Sequence, residues 1–439
     1  MEKSFFSEFS PLTVSDQRAK IHLDLGGEKG YNALIWNSPE GIPVHPIYPL
    51  KENEIKRNEL KEAPPWKITQ HLSFKKDKEV FLERIQNALC NGVEALYLEL
   101  YSPCDFMETL LSLLQDKACT ALFVFRYLPK IEELQSLKEL DDVVVCYDFK
   151  AEGLYLGGWP KTYIASKQMW WSLFTQNIPV NIYVNASIYA NAGADIIQQL
   201  TFTLLHLNEY LNTLSQNEQK APIEVLVQFA FGSNYFFEIA KSHAFKILAE
   251  NLFKPYDFKI NLSLLGEPLQ RNKCSLDYNV NLLRTTTEMM SAILSEVDYV
   301  MNHPYDLRFN PPNDFADRIA RNQLLLLKHE SGFGQLPQAV QGSHYITSLI
   351  DEIKTKAWTL FLAEEAQGGW EKVVHNNRLQ KSIFTAAEAE KARLFSGEQV
   401  LVGATKYQDS STLNAVAKKT ASVQQFSNFT PLTIQYLQE

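Results

Sequence analysis

From about residue 80 onward the chain alternates short apolar runs with stretches of helical period. The runs Ala95–Leu100, Ala121–Phe125, Val143–Tyr147, Val180–Val184, Val225–Phe231, Phe258–Leu265 and Tyr299–Met301, with a weaker one at Leu336–Val340, are rich in β-branched and aromatic residues. Their hydrophobicity is nearly continuous, which is the reading of parallel strands buried on both faces. Between them lie amphipathic helices. The clearest runs from Ala194 to about Leu214, where Ile197, Leu200, Leu204, Leu207, Leu211 and Leu214 recur at three- and four-residue steps and form one apolar stripe. Eight such units match the size of a closed (β/α)8 TIM barrel, with a doubly wound open sheet as the alternative.

The flanks read differently. Residues 1–80 carry turn formers and prolines around short apolar pieces (Gly26-Gly27, Pro39 to Pro43, Pro64-Pro65), which predicts an extended N-terminal arm lying on its own domain or, as expected here, wrapping a partner. The barrel is expected over 81–347. A helical extension follows over 348–403, interrupted at Gly368-Gly369, and a polar tail over 404–439.

Composition narrows the function. A net charge of −9 and a pI near 5.6 argue against a nucleic-acid partner, whose phosphates call for clustered Lys and Arg. No apolar run approaches the roughly 18–20 residues that span a bilayer, and Met1 to Thr13 lack the pattern of a secretory signal. The cysteines Cys90, Cys104, Cys119, Cys146 and Cys274 are scattered and never spaced as CxxC, so they read as thiols of a reduced, cytoplasmic setting. No GxGxxG, Walker, HExxH or GxSxG string occurs. The histidines stand singly, and no metal-binding residue is assigned. Paired carboxylates such as Glu364-Glu365 read as solvated helix faces.

Longer strings carry a resemblance. Ala192-Gly193-Ala194-Asp195 followed by Gln198 to Leu204, then Gly232 to Lys241, Arg284 to Glu288, Arg318 to Gln323, Gly342 to Ile346, and Ala357-Trp358 with Gly368-Gly369 stand in one order. They resemble, in that order, the corresponding segments of the cobalamin-dependent acyl-CoA mutases, and the similarity extends over residues from about 40 to 405. The resemblance implies a (β/α)8 barrel that in the family holds the acyl-CoA, beside a separate flavodoxin-like domain that holds cobalamin.

Departures from the family pattern are as informative as the matches. No histidine here has Asp two residues before it, so the family's DxHxxG cobalt-ligating string is missing and no cobalamin-binding flavodoxin-like domain is expected on this chain. Within Trp66 to His71, His71 aligns with a tyrosine that steers the radical. Ser187 and Ile188 stand for a Tyr-His pair whose histidine bonds the thioester carbonyl, and Ser263 and Leu265 stand for an arginine and a histidine. No arginine occurs between Arg126 and Arg271, where catalytic chains hold the substrate carboxylate and CoA phosphates.

The resemblance therefore implies the smaller, non-catalytic chain of a heterodimer. Its partner, a large catalytic subunit, would bind adenosylcobalamin and interconvert (R)-methylmalonyl-CoA and succinyl-CoA by a radical 1,2-rearrangement. No catalytic or cofactor-binding residue is expected on this chain. Asn234, Glu238, Arg284, Arg318, Arg321 and Asn322 are expected in buried hydrogen bonds or at the interface. The alternative is a free-standing barrel enzyme with a repurposed, cobalamin-independent site built from His71, Glu267 and Cys146. An assembly or metallochaperone factor is the poorest reading, since no nucleotide loop is present.

Overall fold

The computed structural model describes residues 13–48, 65–159, 162–174, 180–217, 222–274, 276–335, 337–408 and 428–437. Eight parallel strands close into a barrel: β1 (Lys67–Phe74), β2 (Ala95–Leu100), β3 (Thr120–Phe125), β4 (Val143–Cys146), β5 (Val180–Asn185), β6 (Ile223–Phe231), β7 (Ile260–Pro268) and β8 (Tyr299–Asn302). Neighbouring strands pair in sequence order, and β8 returns to β1 with Asn302 opposite Gln70. The fold is thus a (β/α)8 TIM barrel, and an open sheet is excluded.

Two strand expectations are corrected. Lys67–Phe74, placed in the arm by its polar character, is the first barrel strand. Its outward residues Ile68, Leu72 and Phe74 join the layer beneath the helices, whereas the inward His71 meets polar partners, so the run is not continuously apolar. Of Leu336–Val340, Pro337–Val340 is a 3-10 turn and Leu336 lies outside the described residues. Proline has no N–H for a ladder, and a closed barrel offers no edge to a ninth strand.

The apolar stripe from Ile197 to Leu214 lies on a helix spanning Ile196–Gln216. Asp195 caps it, reciprocated by Gln198 in a capping box. Just before the cap, Gly193 has φ +105°, and a Cβ there would stand 2.5 Å from that of Ala387. Only glycine suits this junction, which explains one residue of the Ala-Gly-Ala string.

Behind the helices that follow β5 and β6 lies the His344–Ala366 helix, then Gly369–His375 and Arg378–Ser396. Ahead of the barrel, helices Val14–Asp24 and Glu28–Asn32 precede a hairpin of Trp36–Asn37 with Pro43–Val44. Ile42 is buried in the main core. Trp36 meets Phe237 edge-on at 5.8 Å, and Tyr48 meets Tyr345 at 5.1 Å. Residues 36–48 therefore rest on this chain's own barrel. Residues 1–12 and 49–64 of the arm lie outside the described residues, as do 409–427 and 438–439 of the tail.

Under the Gly369–His375 helix, Asp148 accepts hydrogen bonds from Tyr210 (2.7 Å) and from the Asn185 N–H (2.9 Å), and pairs with His206 (3.0 Å). Lys150 is buried beside this cluster, with its ammonium 3.6 Å from the Tyr210 ring centroid and 3.3 Å from the His206 carbonyl, and no salt bridge to a carboxylate among the described residues. Burial pushes its pKa down to about 7. Since the unfolded chain holds this proton until about pH 10, Lys150 costs stability at neutral pH and the cost fades as pH rises from 7 to 10. We expect Lys150→Met to raise stability at pH 7 by ~1–3 kcal/mol and to flatten the rise between pH 7 and 10, as read from urea unfolding at each pH.

Candidate functional site

In a TIM barrel the C-terminal ends of the strands form the mouth, where substrates of barrel enzymes bind. Here the column inside the barrel is built in layers. Tyr97, Cys146, Tyr183, Leu226, Leu265 and Met301 point inward and pack together. The hydroxyls of Tyr97 and Tyr183 stand 2.9 Å apart, and both donate to the side-chain oxygen of Gln228.

Above them lies a charged layer. His71 on β1 bonds Glu99 on β2 at 2.9 Å, and Glu99 takes the Arg126 guanidinium at 2.7 Å. A second arm of Arg126 reaches Glu152 at 2.7 Å. Across the mouth, His303 after β8 bonds Glu267 on β7 at 2.7 Å, and Ser187 donates to Asn185 at 2.6 Å. The two half-networks meet where the His71 and His303 rings stand perpendicular, 5.5 Å apart.

Electrostatics lock this arrangement. Burial alone would raise the pKa of Glu99, but Arg126 and His71 outweigh it and hold the carboxyl well below the usual range. Burial likewise opposes ionisation of Glu267, yet the hydrogen bond with His303 and the polar side chains beside it bring its pKa below normal. Glu152 moves the other way, because its burial outweighs Arg126. Burial pushes the Cys146 thiol far above its ordinary range, which disfavours the thiolate. The charged groups of the mouth thus pair mainly with one another. A neighbouring cavity between β1, the end of β8 and the Asp314–His329 helix measures about 10 Å³, room for one water.

The positions aligned with catalytic residues scatter in their roles. His71 and Ser187 belong to the mouth network, while Leu265 fills the axis and Ser263 lies nearer the strand's start on the same face. Ile188 turns away and packs into the layer between barrel and helices. Of the rival trio, His71 and Glu267 come together through His303, with Cys146 in the layer beneath.

The six retained polar residues also divide. Glu238 accepts the Gly232 N–H at 2.9 Å and pairs with buried Lys241. Arg284 bonds Asn281 at 2.9 Å and the Val402 carbonyl at 3.0 Å, and buried Arg321 bonds Gln70 at 2.8 Å. Asn234 stands at the N-cap of Tyr235–Phe253 without a side-chain cap bond. Arg318 and Asn322 are exposed, so neither makes a buried hydrogen bond. The adjacent Gln323 does so instead, donating to Thr285 and Thr286 and accepting from Asn302. Sequence reasoning passed over Glu99, Glu152 and His303. Their only signal was a lone charged residue at or just beyond the end of an apolar run.

Comparison with known proteins agrees with this architecture. Residues 161–432 match the family described as methylmalonyl-CoA mutase, more than half of the chain. The chain belongs to that family. It is 27% identical to the methylmalonyl-CoA mutase small subunit of Porphyromonas gingivalis, covering 92% of this chain and 71% of that protein. It is also similar to the large subunit from that organism, at 31% identity over 53% of this chain and 34% of that protein. To the methylmalonyl-CoA mutase of Rhizobium meliloti it is 35% identical over 49% of this chain and 31% of that one. It thus spans about a third of the length of these last two. No helix among the described residues is long and apolar enough to cross a membrane.

The family implies adenosylcobalamin, and the histidines of the mouth and of the Asp148 cluster are already held by protein partners. Both mouth imidazoles direct Nε2 onto glutamates inside the barrel, and His206 has both ring nitrogens engaged, with Tyr189 and Asp148. No group of three or more potential metal ligands occurs among the described residues.

Glu99 holds the charged layer together, so its loss tests the layer. Glu99→Gln leaves Arg126 and His71 without their shared charge and should destabilise the fold by ~3–5 kcal/mol in denaturant titrations at pH 7. A carboxyl with a depressed folded pKa contributes stability above about pH 4, which is lost as pH falls. The variant should therefore show a shallower acid decline than the parent.

Proposed function

We propose that this chain is the non-catalytic small subunit of a heterodimeric, adenosylcobalamin-dependent methylmalonyl-CoA mutase. A large catalytic subunit binds the cofactor and interconverts (R)-methylmalonyl-CoA and succinyl-CoA, and this barrel serves as its folded partner. The carrying observation is the filled axis. Tyr97, Tyr183, Gln228, Leu265 and Met301 occupy the column, and the Glu99–Arg126 layer caps it. A thioester needs that space, together with donors prearranged for the charge on its oxygen. Similarity to a protein named small subunit over 92% of the chain supports the same reading.

A second reading, a free-standing cobalamin-independent barrel enzyme, draws on the meeting of two histidine–glutamate pairs at the mouth. Thioester turnover by the isolated chain that disappears in His303→Gln would favour it.

Incubated alone with adenosylcobalamin and methylmalonyl-CoA, the chain should give no succinyl-CoA above background. Co-expressed with its large subunit, it should co-purify at equal stoichiometry with an active mutase. Turnover by the isolated chain would overturn the proposal.

Restoring the family pair by Ser187→Tyr with Ile188→His should give no turnover either. Residue 188 faces the apolar layer outside the barrel. An imidazole there lacks partners and should lower stability by ~1–3 kcal/mol, readable as a fall in Tm.

A further inference from the structure

Residues 428–437 return to the barrel after the C-terminal helices and run across its C-terminal face. The N–H groups of Asn428 and Phe429 both donate to the Gly157 carbonyl at 3.1 Å, and that of Leu432 donates to Leu154 at 2.8 Å, in the connection after β4. The Gln435 N–H donates to Asn191 at 2.9 Å, after β5, and the Leu437 N–H to Arg271 at 3.1 Å, after β7. Tyr436 lies under the Arg308 guanidinium at 3.5 Å, after β8. One short segment therefore ties the connections that leave four different strands.

Its anchorage is buried. Phe429, Leu432 and Leu437 are each 5% exposed or less, and Phe429 packs on Trp159 at 5.0 Å. Arg271, 1% exposed, donates to the Gln435 carbonyl, to Glu390 at 2.8 Å and to the Ala387 carbonyl at 3.2 Å. Asn191 completes the clamp, since its side-chain oxygen accepts the N–H groups of Gln270 (2.8 Å) and Arg271 (3.3 Å).

The connections joined here after β5, β7 and β8 carry Ser187, Glu267 and His303 at their bases. His303 and Glu267 are only 5% and 3% exposed. Among the described residues His303 Nδ1 has no hydrogen-bond partner, so its burial is not explained by a second polar contact. His71, on the side of the mouth that the segment does not reach, is 19% exposed in its side chain.

We propose that residues 428–437 form an occluding strap: clamped by Arg271 and Asn191, they close the β4–β8 arc of the mouth to solutes and leave the β1–β3 arc open. The strap adds a lid to a column already filled by side chains. It rests on the reading of a barrel that admits no acyl-CoA, but occlusion is measurable without turnover, so the two can fail separately.

Acylation of histidines by diethyl pyrocarbonate, mapped by mass spectrometry, tests it on three full preparations: the parent chain, a chain ending at Ser427, and Tyr436→Ala. In the parent, His71 should react and His303 should not. Removal of the strap should raise the reaction rate of His303 by ~10-fold or more through local opening, and Tyr436→Ala should raise it to a smaller extent. His206, buried beneath Trp370 in a separate cluster, should stay protected and so reports an intact fold. Continued protection of His303 in a folded truncated chain would overturn the strap. Should the truncation expose His206 as well, Tyr436→Ala decides: a rise at His303 alone supports the strap, and no rise refutes it.

Discussion

Eight strands closed on themselves enclose a column whose width is set by the barrel's own geometry, and whatever points inward has to meet across it. Enzymes of this shape bind their ligand above that column, at the C-terminal ends of the strands. Here side chains occupy that level too. An apolar floor of Leu226, Leu265 and Met301 continues into a layer of two tyrosines around Gln228, and that layer is roofed by the ion network of Glu99, Arg126, Glu267 and both histidines. The positions of the connections above the mouth follow from this filled column, since their first residues are the roof.

Charges make an expensive roof. A buried ion pair returns little net stability, because desolvation cancels much of the Coulomb attraction, whereas breaking one leaves a stranded charge. Its value here is positional. Glu99 joins β1 to the end of β3 through His71 and Arg126, and Arg126 reaches Glu152 in the connection after β4. Glu267 joins β7 to the end of β8 through His303. Each carboxylate therefore fixes the relative height of strand ends that backbone ladders alone could leave to slide. Asp148 does similar work on the outside, where it caps Phe149–Leu156, accepts the Asn185 N–H and holds Tyr210.

Much of the fold was legible because strands buried on both faces have to be apolar throughout. β2 to β8 announce themselves in that way, and the Ile196–Gln216 helix through its single stripe. β1 escaped because its inward side is polar: Thr69 and His71 point into the barrel, and a half-polar run looks like a loop. The site was less legible for a related reason. Glu99 is one acid inside an apolar hexapeptide, Arg126 registered only as the edge of an arginine-free interval, and Glu152 and His303 lie far from both in sequence. Closure of the barrel brings them together, and no local pattern encodes it. Arg318 and Asn322 show the converse. They belong to a recognisable string, but the helix turns them to solvent and turns Arg321 and Gln323 inward.

Loss of catalytic groups can leave a vacant pocket or a rebuilt one, and the two differ in what a reversion can achieve. In a vacant pocket a restored side chain meets open space. Here the substituted positions have acquired new work: His71 supports Glu99, Ser187 donates to Asn185, and Leu265 packs against the axial tyrosines. A family residue returned to any of them would displace a partner that the roof needs and would strand a buried polar atom as it did so. Residues that act as one constellation lose function together. By the same physics, residues rebuilt into one network resist being undone singly. His71, Ser187 and Leu265 are therefore joined in space, as parts of a single filled column, whereas Ile188 lies outside it.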